Sequence, residues 1–323
     1  MFQREILKEL LEHLEKRQVT VITGLRRVGK TTVLKQLLEA IPSKNKAYFD
    51  LERASNRHIF NSDNDKEIEQ SLNAAGIDLS TRAYIALDEI QLVPNITSVI
   101  KFLYDSYNIK FIVTGSSSFY IKNHFTESLA GRKRIFEMQP LSFAEFLRFK
   151  GVQHTLTKKN ELPKFNLVLY NKFKSHYELY LRYGGLPEVV LAKTNKDRDE
   201  YLQDIINSYI ELDIKLLSDF SLSDDLYKLI RLLVQRVGSK VDYSKISSLI
   251  GINRLKVKDY INLLEYTYFI KLVPPHTLNR DREIALQPKL YFADNGILHG
   301  LGNSNTGALL ENMVAVQLAR KGE

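Results

Sequence analysis

The segment Gly24-Leu25-Arg26-Arg27-Val28-Gly29-Lys30-Thr31 sets two glycines, a lysine and a hydroxyl at the spacing G-x-x-x-x-G-K-[ST], with a second hydroxyl following at Thr32. Residues of these types in this order suit the holding of phosphates. The glycines let the backbone turn tightly and bring a row of N–H groups close to phosphate oxygens, and a helix opening behind them aims its partially positive end at the same anion. Lys30 adds a full positive charge for the outer phosphates, and the Thr31 hydroxyl is a ligand of the kind Mg2+ accepts beside them. At average residue frequencies a chance match in a chain of this length is on the order of one in a hundred.

A metal ion bridging two phosphates also needs a carboxylate from a neighbouring strand. Tyr84-Ile85-Ala86-Leu87-Asp88-Glu89 supplies one. The apolar residues make a buried strand, Asp88 at its end is suited to holding Mg2+ through water, and Glu89 is suited to polarising an attacking water. Adjacent acids at a strand end also serve as helix caps or surface charge. Their place downstream of the phosphate loop turns the reading toward catalysis, and Glu89 argues for hydrolysis rather than transfer to a small substrate. A third run, Phe111-Ile112-Val113-Thr114-Gly115-Ser116-Ser117-Ser118, ends a strand in hydroxyls. Ligands of an open α/β sheet sit beyond the carboxyl ends of its strands, so Thr114 and Ser116 could sense the terminal phosphate or the lytic water. An ordinary polar turn is the alternative. The run is not a serine-hydrolase elbow, because the second glycine of G-x-S-x-G is missing. The expected ligands are ATP and Mg2+.

The elements that must position these groups follow from hydrophobic period. Residues 3 to 16 place Ile6, Leu7, Leu10, Leu11 and Leu14 on one helical face, a packing helix. Val19 to Thr23 is a β-branched run that ends at Gly24, and a helical pattern resumes at Thr32. Ala47 to Phe49, Ala83 to Leu87 and Phe111 to Thr114 are further strands, separated by helical or polar stretches such as Ile96 to Tyr107. Near-continuous apolar strands alternating with helices predict an α/β domain, a parallel sheet with helices on both faces, over 1–150.

A helical linker or lid is expected over 151–225, with helices at Tyr177 to Leu191 and Tyr201 to Leu217. Over 226–280 the order is helix (Leu226 to Val237), helix (Ser244 to Ile250), turn, helix (Arg254 to Tyr266), then the strand Phe269 to Val273. That order describes a winged helix-turn-helix. Arg254, Lys256 and Lys258 open the last helix behind Asn253 as a cap, and could reach phosphates or guanine edges of duplex DNA. The same helix carries Asp259 and Glu265, and a winged helix used for packing and transmission is the other reading.

Composition bounds the rest. The 323 residues are 44% hydrophobic and 26% charged, enough for more than one core, and no apolar run is long enough to cross a membrane. The first residues lack a signal-peptide pattern, so a cytoplasmic protein is expected. With no cysteine in the chain, disulfides, thiolate metal sites and thiol nucleophiles are excluded. The net charge of +8 is compatible with an anionic partner, but such an excess is more often solvated surface.

The motifs also carry a resemblance. Arg26 to Thr32, Leu87-Asp88-Glu89-Ile90-Gln91, Thr114-Gly115-Ser116-Ser117, Leu129-Ala130-Gly131-Arg132, Pro140 to Phe146 and Tyr183-Gly184-Gly185-Leu186-Pro187 make the chain, nearly end to end, similar to AAA+-type ATPases related to the archaeal and STAND groups, those with an AAA domain followed by a DUF4143 domain. The resemblance implies a catalytic glutamate beside the magnesium aspartate. It also implies Arg132 as a contact to the terminal phosphate, with Arg134 in reserve, and a homo-oligomer if that arginine acts on a neighbour. Surface charge is the other reading of Gly131-Arg132-Lys133-Arg134. In STAND-like relatives a winged helix commonly serves as a packing module. Residues 281–323, beginning with Lys289 to Asp294, resemble the entrance to a nuclease-like fold with Glu311 in its first helix. The further acidic and lysine residues of such a site are not here, so a truncated chain or a lost third domain is expected.

Overall fold

The computed structural model describes residues 3–62, 64–115, 129–153, 165–214 (backbone alone at 212–214), 224–276 and 286–320. They form two compact units that divide at Met138 and Gln139.

In the first unit, the elements are α1 (Leu7–His13), β1 (Val19–Thr23), α2 (Lys30–Ala40), β2 (Lys46–Asp50), α3 (Ala54–Phe60), α4 (Asp65–Ala74), β3 (Ala83–Asp88), α5 (Ile96–Ser106), β4 (Ile109–Gly115) and β5 (Lys133–Glu137). The five strands make one sheet in the order β2-β3-β4-β1-β5, every neighbouring pair parallel. All residues of β1 and β4 are buried, as expected of central strands covered on both faces. The core gathers Val19 and Val21 with Ile85, Leu87, Phe111 and Val113 of the inner strands and Val99, Ile100 and Leu103 of α5. This is a P-loop NTPase-like fold. Because the strands are parallel, their carboxyl ends share one edge, which carries Thr23, Asp50, Asp88, Thr114 and Glu137.

The second unit contains α6 (Phe143–Phe149), α7 (Leu167–Tyr183), α8 (Pro187–Leu191), α9 (Asn195–Ser208) continued by a π-helical stretch (Tyr209–Ile214), α10 (Asp224–Val234), α11 (Tyr243–Ile250), α12 (Arg254–Tyr266), β6 (Ile270–Val273), β7 (Lys289–Phe292), α13 (Asn295–Gly300) and α14 (Thr306–Ala319). The first compact unit ends at Met138, and the expected first domain over 1–150 includes α6 of the second. The reason is packing: Leu141, Phe146, Leu147 and Phe149 share a core with Tyr180 and Val190. The helix expected from Tyr177 to Leu191 is broken at Gly184, whose φ of 70° and ψ of −155° suit glycine alone.

Asp242 caps α11, Gly251 ends it in the left-handed region at φ 72°, and Asn253 caps α12 by accepting from the Leu255 N–H. Helix, turn and helix are thus set locally. β6 then pairs antiparallel with β7, and Lys240 bridges to Lys289 on the other side of β7. β7 is accordingly the partner of β6, across the boundary expected at 280. α13 and α14 pack on α7, and α13 also packs on α9.

Candidate active site

The loop from Gly24 to Gly29 leaves the end of β1 and runs into α2. Gly24 has φ 140°, and a Cβ built there would stand 2.1 Å from the Met138 carbonyl oxygen, so the close approach of two backbones demands glycine. Arg27 and Gly29 take positive φ of 66° and 96°, which turn the chain into the helix. Met138 donates its N–H to the Thr23 oxygen at 2.7 Å and holds the root of the loop.

Lys30 is 5% exposed and donates through Nζ to the carbonyls of Gly24 (3.0 Å) and Leu25 (3.1 Å). Val28 is held from outside the motif, because the guanidinium of Arg4 donates to its carbonyl at 2.7 Å. Thr31 and Thr32 lie in the first turn of α2.

β4 lies between β1 and β3, so its last side chains stand between the loop and the acids. Asp88, 3% exposed, accepts from the Thr114 hydroxyl on Oδ1 and from the Tyr48 hydroxyl on Oδ2, the latter at 2.9 Å. The Thr114 oxygen also accepts from the Glu89 N–H at 3.1 Å. Glu89 takes the left-handed conformation, φ 58° and ψ 54°, rare for a side chain of this type. The fully buried Thr114 hydroxyl thus braces the turn that carries both acids. The Glu89 carboxylate accepts from the Gln91 side-chain amide.

Among the described residues no group of three or more His, Asp or Glu could hold a metal. One buried carboxylate and one hydroxyl fit Mg2+, which keeps most of its waters and takes phosphate oxygens, and do not fit an all-protein cage.

Arg132 is not brought to this edge. It precedes β5, whose Lys133 pairs with Val19 at the start of β1 while Glu137 pairs with Thr23 at its end. Its guanidinium faces Asp105 at 3.3 Å. Arg134 pairs with Glu9 and lies over the Phe136 ring. Ser116, Ser117 and Ser118 lie outside the described residues. Tyr48 and Arg4 had no signal in the sequence, since each meets its partner across 40 and 24 residues respectively.

In the second unit Arg254 and Lys258 are exposed, but Lys256 is engaged: its ammonium sits 2.7 Å from the Asp225 carboxylate of α10. Each partner favours the charged form of the other, raising the lysine and lowering the aspartate from their ordinary values. Lys256 therefore ties α12 to α10. Glu311 accepts from Lys289 (3.1 Å) and Tyr291 (3.0 Å) on β7.

Comparison with known proteins agrees with the loop and the sheet. Residues 16–147 match the family model of an AAA domain. Residues 174–307 match a domain of unknown function, DUF8612, where the sequence resemblance had led us to expect DUF4143. An uncharacterized protein of Haemophilus influenzae is 27% identical over 100% of this chain and 80% of its own length. The uncharacterized protein MJ1544 of Methanocaldococcus jannaschii is 27% identical over 94% of this chain and 67% of its own. Among solved structures, the ORC1 protein of Aeropyrum pernix in complex with DNA aligns with 98% of this chain and 94% of that one, at 12% identity and a TM-score of 0.39, too low to carry a functional argument. No helix among the described residues is long and apolar enough to cross a membrane.

Proposed function

We propose that the chain binds ATP with Mg2+ at the carboxyl edge of its parallel sheet and hydrolyses it to ADP and phosphate. The observation that carries this reading is the strand order: β1, which leads through the glycine loop to Lys30, lies beside β4, whose Thr114 bonds to Asp88 and to the Glu89 N–H at the end of β3. Gly24 to Thr32 hold the phosphates, with Lys30 exchanging the carbonyls of Gly24 and Leu25 for phosphate oxygens. Thr31 and Asp88 would hold Mg2+, which when bound would neutralise phosphate charge. Glu89 accepts the proton of a water whose oxygen forms the new bond to the γ-phosphorus as the bond to the β-phosphate oxygen breaks. Thr114 acts through the turn it braces.

The winged-helix reading of α10 to β7 makes that region the moving part coupled to the cycle. Its Lys256 is tied to Asp225, which supports a packing and transmission module more than a reader of duplex DNA. The Gln91–Glu89 hydrogen bond supports a second reading, a slow nucleotide-dependent regulator whose general base is held back until a partner releases it.

Phosphate release from Mg-ATP, with and without duplex DNA, beside Lys30→Ala and Glu89→Gln, tests the proposal. An ATPase loses turnover in both variants, and Glu89→Gln still retains nucleotide. Turnover intact in Glu89→Gln would remove the base assignment. Wild-type protein that binds nucleotide but releases no more phosphate than Lys30→Ala would favour the regulator.

A further inference from the structure

The carboxylate of Asp88 is gripped from two strands at once. Thr114 of β4 takes Oδ1, and Tyr48 of β2 takes Oδ2 at 2.9 Å. Tyr48 pairs in register with Ala86, two residues before Asp88, so the phenol lies along the sheet face and delivers its hydroxyl to the strand end. The Lys35 ammonium of α2 stands over the ring, 5.1 Å from its centre. Packing on this half-buried strand would be served equally by phenylalanine. What the hydroxyl adds is a charge-assisted hydrogen bond to a carboxylate that is 3% exposed.

We propose that Tyr48 is a positioning residue for the metal, one that sets the plane of the Asp88 carboxylate and thereby the affinity for the divalent ion that accompanies the nucleotide. The inference rests on the ATP-binding reading above. Two donors at fixed angles, one on each oxygen, remove the rotation about the terminal carboxylate bond that an unsupported aspartate retains. A metal that contacts this group through water then meets an acceptor already oriented. Loss of such an outer partner typically weakens metal binding by about 10–100-fold. Tyr48 lies outside the phosphate-loop residues Gly24 to Thr32, so nucleotide affinity without metal is expected to be left alone.

The test uses the full chain and Tyr48→Phe, with Asp88→Asn as comparator. A fluorescent ADP analogue is titrated first in chelator. Mn2+ is then titrated in the presence of ADP, with the free ion followed by its paramagnetic resonance. The expected result for Tyr48→Phe is a folded protein whose melting temperature falls by no more than the loss of one hydrogen bond accounts for, and an unchanged affinity in chelator, with the half-saturating Mn2+ concentration raised about 10–100-fold. A half-saturating concentration that stays put in Tyr48→Phe while Asp88→Asn shifts it would overturn the role of Tyr48 alone. If Asp88→Asn also leaves it unmoved, or the wild type binds no nucleotide, the metal-site reading falls and this inference with it.

Discussion

Arg132→Ala tests the architecture most directly. In the register of β1 and β5, Glu137 stands beside Thr23, where the phosphate loop begins, and Arg132 lies five residues earlier. At ~3.3 Å per residue that is about 17 Å along the strand, further than an arginine side chain extends. An arginine that stabilised the transferring phosphate in its own chain would be worth roughly 10³ to 10⁵ in rate, about 4–7 kcal/mol. The ion pair lost is the one to Asp105, with side chains 38% and 44% exposed, so the fold should keep its stability to within about 1 kcal/mol. The assay is phosphate release per chain from dilute to concentrated protein, alongside the melting temperature. Dilute Arg132→Ala should match dilute wild type. If a neighbouring copy uses this arginine, wild-type turnover per chain climbs with concentration and the variant loses the climb. A drop of about 10³ that is independent of concentration would refute the placement of Arg132 away from its own site.

Three further outcomes are expected. Thr114→Val keeps the shape but removes the donor to Asp88 and the acceptor for the Glu89 N–H, and Mg-ATP turnover should fall by about 10–100-fold with nucleotide affinity in chelator unchanged; equal turnover would deny Thr114 its bracing role. Lys110, 1% exposed at the other end of β4, donates to the carbonyls of His13 (3.0 Å), Lys16 (2.8 Å) and Gln18, and burial with Arg82 nearby pushes it down to about 7. An unfolded lysine titrates near ~10.4, so between these values the unfolded chain binds more protons, and wild type should gain stability over Lys110→Met as pH rises from about 7 to 9, by at most ~1.4 kcal/mol per unit; melting curves with no such divergence would contradict the shift. Asp294 accepts from the Gly185 N–H (2.7 Å) on one oxygen and from the Gly296 N–H (2.8 Å) on the other, while burial pushes its carboxyl up to about 6. Above that value the carboxylate is charged, and Asp294→Asn sets an amide against one of the N–H groups at a cost of about 1–3 kcal/mol; a higher melting temperature in the variant would mean that shedding the buried charge outweighs the lost acceptor.

What the sequence determined by itself is whatever acts over a few residues. Gly24, Gly29 and Lys30 work within one turn and the start of one helix, so their spacing alone names the phosphate chemistry. The β-branched run Val19 to Thr23 and the apolar run Phe111 to Val113 predict strands covered on both faces, because a half-exposed strand would alternate with charged or strongly polar positions. Asp242, Gly251 and Asn253 mark the ends of α11 and the start of α12 by local hydrogen bonds and backbone conformation. The tertiary structure alone decided which distant residues meet. Strand order set Thr114 between the loop and the acids, and strand register sent Arg132 to the opposite edge. Tyr48 reached Asp88, Arg4 reached Val28, and Lys256 was drawn to Asp225. β7 closed on β6 and the first unit ended at Met138. None of these has a short-range signature, because a hydrogen bond between residues far apart in the chain depends on the path of everything between them.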